Sequence, residues 1–378
     1  MKNVVILGAS GSIGFQTIDI IRKHKDKFRI LGLAVKENVS ILKDLAEEFK
    51  PPYLAIYNSS VEKPSLSYTP KILFGREGIE ILASLKEADL VVIAISGISA
   101  IYPTRQAILN NKKIALATKE VIVTAGKFLK EWLKNSKSEI IPVDSEHSAI
   151  FQLLQNRKSV ERIILTASGG PFFGKDRKYI EEVKLEDVLK HPRWKMGKKT
   201  TIDSANLVNK ALEIVEAHYL FDFPYEKIDV LIHPQSIVHG IIEFIDGSFI
   251  AYLSPPDMKF AIQYALFHPE RISYKWEKLN LMDLKLEFYP VDDKVFPIIS
   301  YLYEMVKRGD VYPPILAVSD EIFVSHFLNG DIKFSQIVPL IIKVMENWKG
   351  KSKIESIEEL FDLIDWVKRE SLRLLGRY

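Results

Sequence analysis

Through the first third of the chain, short apolar runs alternate with segments whose apolar positions recur every three to four residues. Residues 4–7, 29–34, 53–56, 90–95, 114–117 and 139–143 read as strands. Most are almost continuously apolar, as parallel strands covered on both faces must be. Residues 15–23, 41–48 and 128–135 carry the helical period. Strand and helix in alternation predict an N-terminal, Rossmann-like, doubly wound parallel sheet. A second group of strands follows at 162–166, 230–232, 240–244 and 249–253. The last two are joined by Ile245-Asp246-Gly247-Ser248, where Asp-Gly marks a hairpin. Their close spacing predicts an antiparallel or mixed sheet, hence a second, central α/β domain. From about residue 294 the pattern is helical. In 354–369, Ile357, Leu360, Phe361, Ile364 and Val367 share one face, which predicts a C-terminal helical bundle. The strand-poor stretch 268–293 reads as a linker.

Composition narrows the function classes. The 378 residues are 47% apolar and 27% charged, ordinary for two or three globular domains and unlike a disordered or collagen-like chain. No apolar run approaches the ~18 residues that span a bilayer, so no membrane role is expected. Met1 and Lys2 lead straight into the first strand with no small-residue cleavage site, which argues against a secretory signal and for a cytoplasmic protein. The absence of cysteine excludes disulfides, thiolate nucleophiles and Cys-ligated metal sites. A net charge of +3, from 52 basic and 49 acidic residues, is too balanced for a dedicated nucleic-acid binder.

Four groups of residues carry candidate chemistry. Gly8-Ala9-Ser10-Gly11-Ser12-Ile13-Gly14 follows the first strand and opens the first helix. Glycines there let the backbone approach a pyrophosphate, and the helix N-terminus offers unpaired N–H groups. The bland alternative is a tight turn without ligand. The second strand ends in Val35-Lys36-Glu37-Asn38, where Lys36 favours a ribose 2′-phosphate and Glu37 opposes it. In extended backbone the two would face opposite ways. Pro142-Val143-Asp144-Ser145-Glu146-His147 ends the sixth strand. In extended backbone Asp144 and Glu146 share a face and repel unless a cation or proton lies between them. The equal alternative is a solvated loop acid pair, or a helix N-cap at Asp144 or Ser145 with acids in its first turn.

Asp203-Ser204-Ala205-Asn206-Leu207-Val208-Asn209-Lys210-Ala211-Leu212-Glu213 reads as a helix capped by Asp203 or Ser204, with Val208, Leu212, Val215 and Tyr219 as its buried stripe. Lys210 and Glu213 are either a surface ion pair, or Glu213 joins Asp144 and Glu146 as a third oxygen ligand of an all-oxygen site for Mg²⁺ or Mn²⁺. In the second case Ser204, Asn209 and Lys210 would hold an anionic substrate beside the metal. Ser168-Gly169-Gly170-Pro171 can present a hydroxyl and backbone N–H groups to a phosphate. His191-Pro192-Arg193-Trp194-Lys195-Met196-Gly197 displays aromatic and thioether groups in a loop, as lids do; an anchored loop is the alternative. His233 and His239 have no triad partners nearby and read as structural.

Taken together, these motifs, with Lys119-Glu120, Ala167-Ser168-Gly169-Gly170-Pro171-Phe172 and His233-Pro234-Gln235-Ser236, resemble the 1-deoxy-D-xylulose 5-phosphate reductoisomerase family essentially from end to end. The resemblance implies conversion of that pentulose phosphate to 2-C-methyl-D-erythritol 4-phosphate, with NADPH and a divalent metal (Mg²⁺, Mn²⁺ or Co²⁺), in a homodimer. It implies Asp144, Glu146 and Glu213 as metal ligands, with Lys119 and Glu146 catalytic. Lys119, Ser145, Glu146, Ser168, His191, Ser204, Asn209, Lys210 and Glu213 would surround the substrate, a sugar phosphate. Ser10, Gly11, Ser12, Ile13, Lys36, Asn38, Thr118, Glu120 and Gly197 would lie on the cofactor side, and Trp194 and Met196 in the lid. The implied domains are 1–143 for NADPH, 144–267 for catalysis and dimerisation with a lid at about 168–197, the linker 268–293, and a helical domain at 294–378.

The chain departs from the family pattern in three places. Lys36-Glu37-Asn38 stands for Gly-Lys-Asn, Thr118-Lys119-Glu120 for Asn-Lys-Glu, and Ala317-Val318-Ser319-Asp320-Glu321 for Asn-Ala-Ala-Asn-Glu. Two rival readings remain. A different Rossmann-type dehydrogenase would need no three-carboxylate site. A non-catalytic NADPH sensor would ignore the sugar phosphate.

Overall fold

The computed structural model describes residues 1–194, 196–273 and 278–376, without the side chains of Gln155 and Asn156. Lys195 of the expected lid, 274–277 of the expected linker and 377–378 of the expected C-terminal domain lie outside the described residues. The chain divides into two units, one of residues 1–121, 127–148 and 258–275, the other of residues 122–126, 149–257 and 276–378.

In the first unit the apolar runs become β1 (Lys2–Leu7), β2 (Phe28–Val35), β3 (Tyr53–Ile56), β4 (Lys71–Phe74), β5 (Leu90–Ile93), β6 (Lys113–Leu116) and β7 (Glu139–Pro142). They form one parallel sheet in the order β4-β3-β2-β1-β5-β6-β7. Val4, Val5, Ile6 and Leu7 are fully buried, as a central strand covered on both faces requires. Strand order reverses between β1 and β5, and the crevice at such a switch point is where open α/β sheets take their ligands. β4 was not expected. It is a four-residue edge strand whose Lys71 is exposed and whose other residues are only half-buried, so it lacks the continuous apolar signature.

The helix expected at 128–135 begins nine residues earlier, at Lys119, and runs to Lys134. Val121, Ile122 and Val123 are all buried, so its first turns have no polar face to show a helical period. Ala125 interrupts it with non-helical backbone (φ −116°, ψ 18°).

The second unit holds β8 (Val160–Ala167), β9 (Ile228–Ile232), β10 (Val238–Phe244) and β11 (Phe249–Leu253) in the order β11-β10-β8-β9. β10 is antiparallel to both neighbours, and β8 and β9 are parallel, so the sheet is mixed. The parallel pair needs a crossover, which helix Val208–Phe221 supplies by packing on both strands. Within 268–293, Tyr289 exchanges two backbone hydrogen bonds with Ile232 at the end of β9 (2.8 and 2.9 Å).

Four helices end the chain: Ile298–Val306, Tyr312–Leu328, Ile337–Asn347 and Ile357–Leu374. Tyr312–Leu328 is buried nearly all round and packs against the other three and against helix Lys198–Ala205. The last helix turns Leu360, Leu363, Ile364 and Val367 inward. Among the described residues no helix is long and apolar enough to cross a membrane.

Candidate active site

The glycine-rich turn is a backbone device. Gly8 sits at φ +95°, and a Cβ there would lie 2.3 Å from the carbonyl oxygen of Ala94. A Cβ on Gly14 would lie 2.3 Å from the carbonyl oxygen of Gly8. The first helix, Ser12–Lys23, therefore starts hard against the end of β1. No side chain caps it at Gly11, which leaves its first N–H groups facing the crevice without a side-chain acceptor. Ser10, Gly11, Ser12 and Ile13 lie on this turn. Lys36 and Glu37 lie in an exposed bend after β2, not in extended backbone, so the expectation that they face opposite ways does not carry over. Asn38 caps helix Val39–Phe49, its Oδ1 accepting the Ile41 N–H at 3.2 Å. Thr118 is buried and donates its hydroxyl to the Ile95 carbonyl at 2.5 Å, tying the end of β6 to the chain leaving β5. Lys119 and Glu120 open the helix that follows.

β7 stops at Pro142, and helix Ser145–Leu153 begins at once. Asp144 and Glu146 thus stand at a helix start instead of on one face of a strand. The Asp144 carbonyl accepts the Ser148 N–H at 2.8 Å, and Glu146 lies in the first turn. Lys119 Nζ is 2.5 Å from Asp144 Oδ2, both side chains being 13% exposed. His147 is fully buried, its Nδ1 3.7 Å from Asp144 Oδ1. Burial by itself would raise the Asp144 carboxyl; the Lys119 ammonium and the His147 imidazole outweigh it and hold the group well below the usual carboxylate range. The Ser145 hydroxyl donates to Glu146 Oε2.

In the second unit, Ser168, His191 and Ser204 meet although they are far apart in sequence. His191 Nε2 is 3.0 Å from Ser168 Oγ and 3.2 Å from Ser204 Oγ. The N–H groups of Arg193 and Trp194 both point at Nδ1, at 3.1 and 2.9 Å, so Nδ1 is the acceptor and Nε2 carries the hydrogen. Burial pushes this imidazole down to about 4, in keeping with a neutral ring. Ser168 Oγ also accepts the Gly170 N–H at 3.1 Å. With two donors on its oxygen, Ser168 must turn its own hydrogen outward. Gly170, at φ +66°, permits the close packing, since a Cβ there would lie 2.8 Å from the Ser204 carbonyl oxygen.

Asp203 and Ser204 do not cap the following helix, as had been expected. They lie within helix Lys198–Ala205, which starts after Gly197. Leu207, at φ +62°, breaks the chain into a second helix, and Asn206 Oδ1 accepts the Val208 N–H at 3.0 Å. Lys210 and Glu213 are 3% and 1% exposed, so they are not a surface pair. Lys210 Nζ donates to the Thr166 carbonyl at 2.5 Å and to Glu213 Oε2, and Asn209 Nδ2 donates to Glu213 Oε1. The Thr166 carbonyl is an anchor no side-chain pattern could reveal. Trp194 packs edge-on against His239 (centroids 5.9 Å apart), while His239 Nε2 donates to the Ser254 carbonyl and His233 Nδ1 to the Glu287 carbonyl. Met196 is half-buried and Gly197 exposed.

A parallel sheet with a glycine-rich turn at its switch point, followed by a mixed α/β unit bearing hydroxyl, imidazole, ammonium and carboxylate groups, defines a nucleotide-binding α/β enzyme. The 1-deoxy-D-xylulose 5-phosphate reductoisomerase family matches residues 4–126, and the family's C-terminal domains match 140–221 and 253–370. The chain belongs to that family. The reductoisomerase of Thermodesulfovibrio yellowstonii is 46% identical over 381 residues, covering 100% of both chains, and that of a Sulfurihydrogenibium species is 45% identical, covering 100% of this chain and 99% of its own. The crystal structure of a DOX-P reductoisomerase in complex with NADPH, fosmidomycin and magnesium has a TM-score of 0.89 at 32% identity, covering 100% of this chain and 98% of that one. The Zymomonas mobilis enzyme in complex with NADPH gives 0.89 at 32% identity, with 100% of both chains covered.

Proposed function

We propose that this protein rearranges and reduces 1-deoxy-D-xylulose 5-phosphate to 2-C-methyl-D-erythritol 4-phosphate, in the non-mevalonate isoprenoid route, with NADPH and a divalent metal. The observation that carries the reading is the Ser168–His191–Ser204 cluster. An imidazole fixed as a donor at Nε2 turns serine hydroxyls outward, which makes a cradle for the substrate phosphate. Asn209 and Lys210 add donors beside it.

Asp144, Glu146 and Glu213 suit the metal: all are hard oxygen donors, and Asp144 is kept ionised by Lys119. Mg²⁺, Mn²⁺ and Co²⁺ are the ions assigned to this set. When bound, the ion supplies Lewis acidity to the substrate's adjacent hydroxyl and carbonyl oxygens, and the nicotinamide supplies a hydride. Lys119, held beside Asp144, holds or moves a proton at those oxygens. Glu146 orients the substrate with Ser145, whose hydroxyl it accepts. Residues 1–143 take the nucleotide through Ser10–Ile13, Lys36, Asn38, Thr118 and Glu120, joined by Gly197. Residues 144–267 carry the chemistry. Within them the segment at about 168–197, with Trp194 and Met196, closes as a lid and excludes water. Residues 268–293 link to the helices of 294–378. The reading includes a homodimer in the cytoplasm.

The test is incubation with the pentulose phosphate, NADPH and Mn²⁺ while following nicotinamide absorbance. Oxidation that stops in chelator supports the reading. Turnover unaffected by chelator would point to a metal-independent dehydrogenase.

A further inference from the structure

A cavity of about 350 Å³ lies within the second unit, between helix Arg177–Glu181, residues 294–297 and residues 333–339. This is at the small end of the ~300–1,000 Å³ usual for ligand pockets. Its wall is apolar, with Ile180, Phe296 and Phe334 all buried. Its rim is cationic: Arg177, Lys294 and Lys333 stand against the single carboxylate of Glu181, which lies 3.7 Å from Arg177 Nε. Among the described residues no ion pair involves Lys294 or Lys333.

Asn206 also lines this cavity and is 5% exposed. Its Oδ1 is committed to the Val208 N–H, which fixes the orientation of the amide. Its Nδ2 then has no hydrogen-bond partner. Cations at the rim and an apolar wall behind them describe one ligand chemistry.

We propose that this cavity is a second small-molecule site, taking a compact apolar body with an anionic head, carboxylate or phosphate. The head pairs with Lys294 and Lys333 at the rim; the body lies against Phe296 and Phe334. None of the groups assigned to NADPH, metal or sugar phosphate lines the cavity, although its wall helix Arg177–Glu181 lies within the segment read above as a lid.

The test uses the full chain and ligand-observed fluorine NMR with para-trifluoromethyl-phenylacetate, and its methyl ester as the neutral control. The acid is expected to bind saturably and the ester about tenfold more weakly, the worth of one charge-assisted hydrogen bond. Lys294→Glu combined with Lys333→Glu, both exposed, should weaken the acid about tenfold or more. Thermal unfolding of the double variant checks that it folds. Absence of saturable binding to the unmutated protein, equal binding of acid and ester, or unchanged affinity in the double variant would each overturn the proposal.

Discussion

Lys199 and Asp320 form an ion pair across 121 positions of sequence, Nζ lying 2.5 Å from Oδ2. The same ammonium is 2.6 Å from Asp203 Oδ2 on its own helix. Asp203 and Asp320 are 2% and 0% exposed. One partly exposed cation thus pins helix Lys198–Ala205, which carries Ser204, to helix Tyr312–Leu328.

Asp320→Leu should destabilise the protein by about 3 kcal/mol, the lower end of the cost of breaking a buried pair, because Lys199 keeps 28% of its side chain exposed. Asp320→Asn retains an acceptor and should cost about 1 kcal/mol. Guanidinium denaturation measures both. A Leu variant as stable as the parent would mean that the pair contributes nothing net.

His191 and His239 give the protein an acid-sensitive stability. Burial lowers both imidazoles to about 4, against about 6.5 for the free side chain. For His239 the Ser254 hydrogen bond opposes burial, while His233 and Lys210 add to it. The folded form therefore holds these rings neutral, and between those two values the unfolded chain binds more protons. Stability from this source is complete above pH 6.5 or so and is lost as pH falls toward 4. In His191→Gln the drop between pH 6.5 and 4.5 should be smaller than in the parent. An equal drop in both would assign the acid sensitivity to carboxylates instead.

Ser204→Ala should raise KM for the sugar phosphate about tenfold to a hundredfold, since a hydrogen bond to a charged group is worth about 1.5–3 kcal/mol. The KM for NADPH should stay unchanged. Steady-state kinetics with each substrate varied in turn checks this. A kcat loss with unchanged KM would place Ser204 away from the phosphate.

How much of this was legible beforehand depended on how far each signal is local. The continuous apolar run of β5 and the Asp246-Gly247 turn speak for themselves. β4 does not, because an edge strand needs no continuous apolar face. The break at Leu207 is not legible in Ala205-Asn206-Leu207-Val208, because the residue there that tolerates the left-handed region is Asn206, while Leu207 is the one that adopts it. It is held by the Asn206 cap and by the packing of two helices. Lys210 and Glu213 have the same spacing in a surface pair as in a buried one, and only β8 behind them, through the Thr166 carbonyl, decides which. Ser168, His191 and Ser204 were each singled out from the sequence. Their meeting, across gaps of 23 and 13 residues, is a property of the fold.

Gly14→Ala tests the nucleotide turn. Its Cβ would meet the Gly8 carbonyl oxygen at 2.3 Å and Ala9 Cα at 2.8 Å, both backbone atoms that cannot swing aside. The first helix must lift, at a cost of about 1–3 kcal/mol in stability. Its N–H groups then leave the pyrophosphate, and NADPH affinity should fall at least about tenfold by fluorescence titration. Affinity unchanged from the parent would mean that the turn does not hold the cofactor.

Preference for NADPH over NADH is expected to turn on Lys36. Lys36 and Glu37 are both exposed in the bend after β2, so neither is locked away from a ribose at the switch point. A charge-assisted bond from Lys36 to the 2′-phosphate would be worth about 1.5–3 kcal/mol in a shielded site. An exposed ammonium works in high dielectric, and Glu37 beside it subtracts, so the lower end applies, about tenfold in affinity. Lys36→Ala should then raise the NADPH KM about tenfold and leave the NADH KM nearly unchanged, while Glu37→Gln should lower the NADPH KM. Because the pairing is exposed, the parent's preference should shrink as salt is raised and the Debye length falls from ~10 Å at 0.1 M to ~3 Å at 1 M. Equal kcat/KM for the two cofactors in the parent would show that Glu37, not Lys36, governs the pocket.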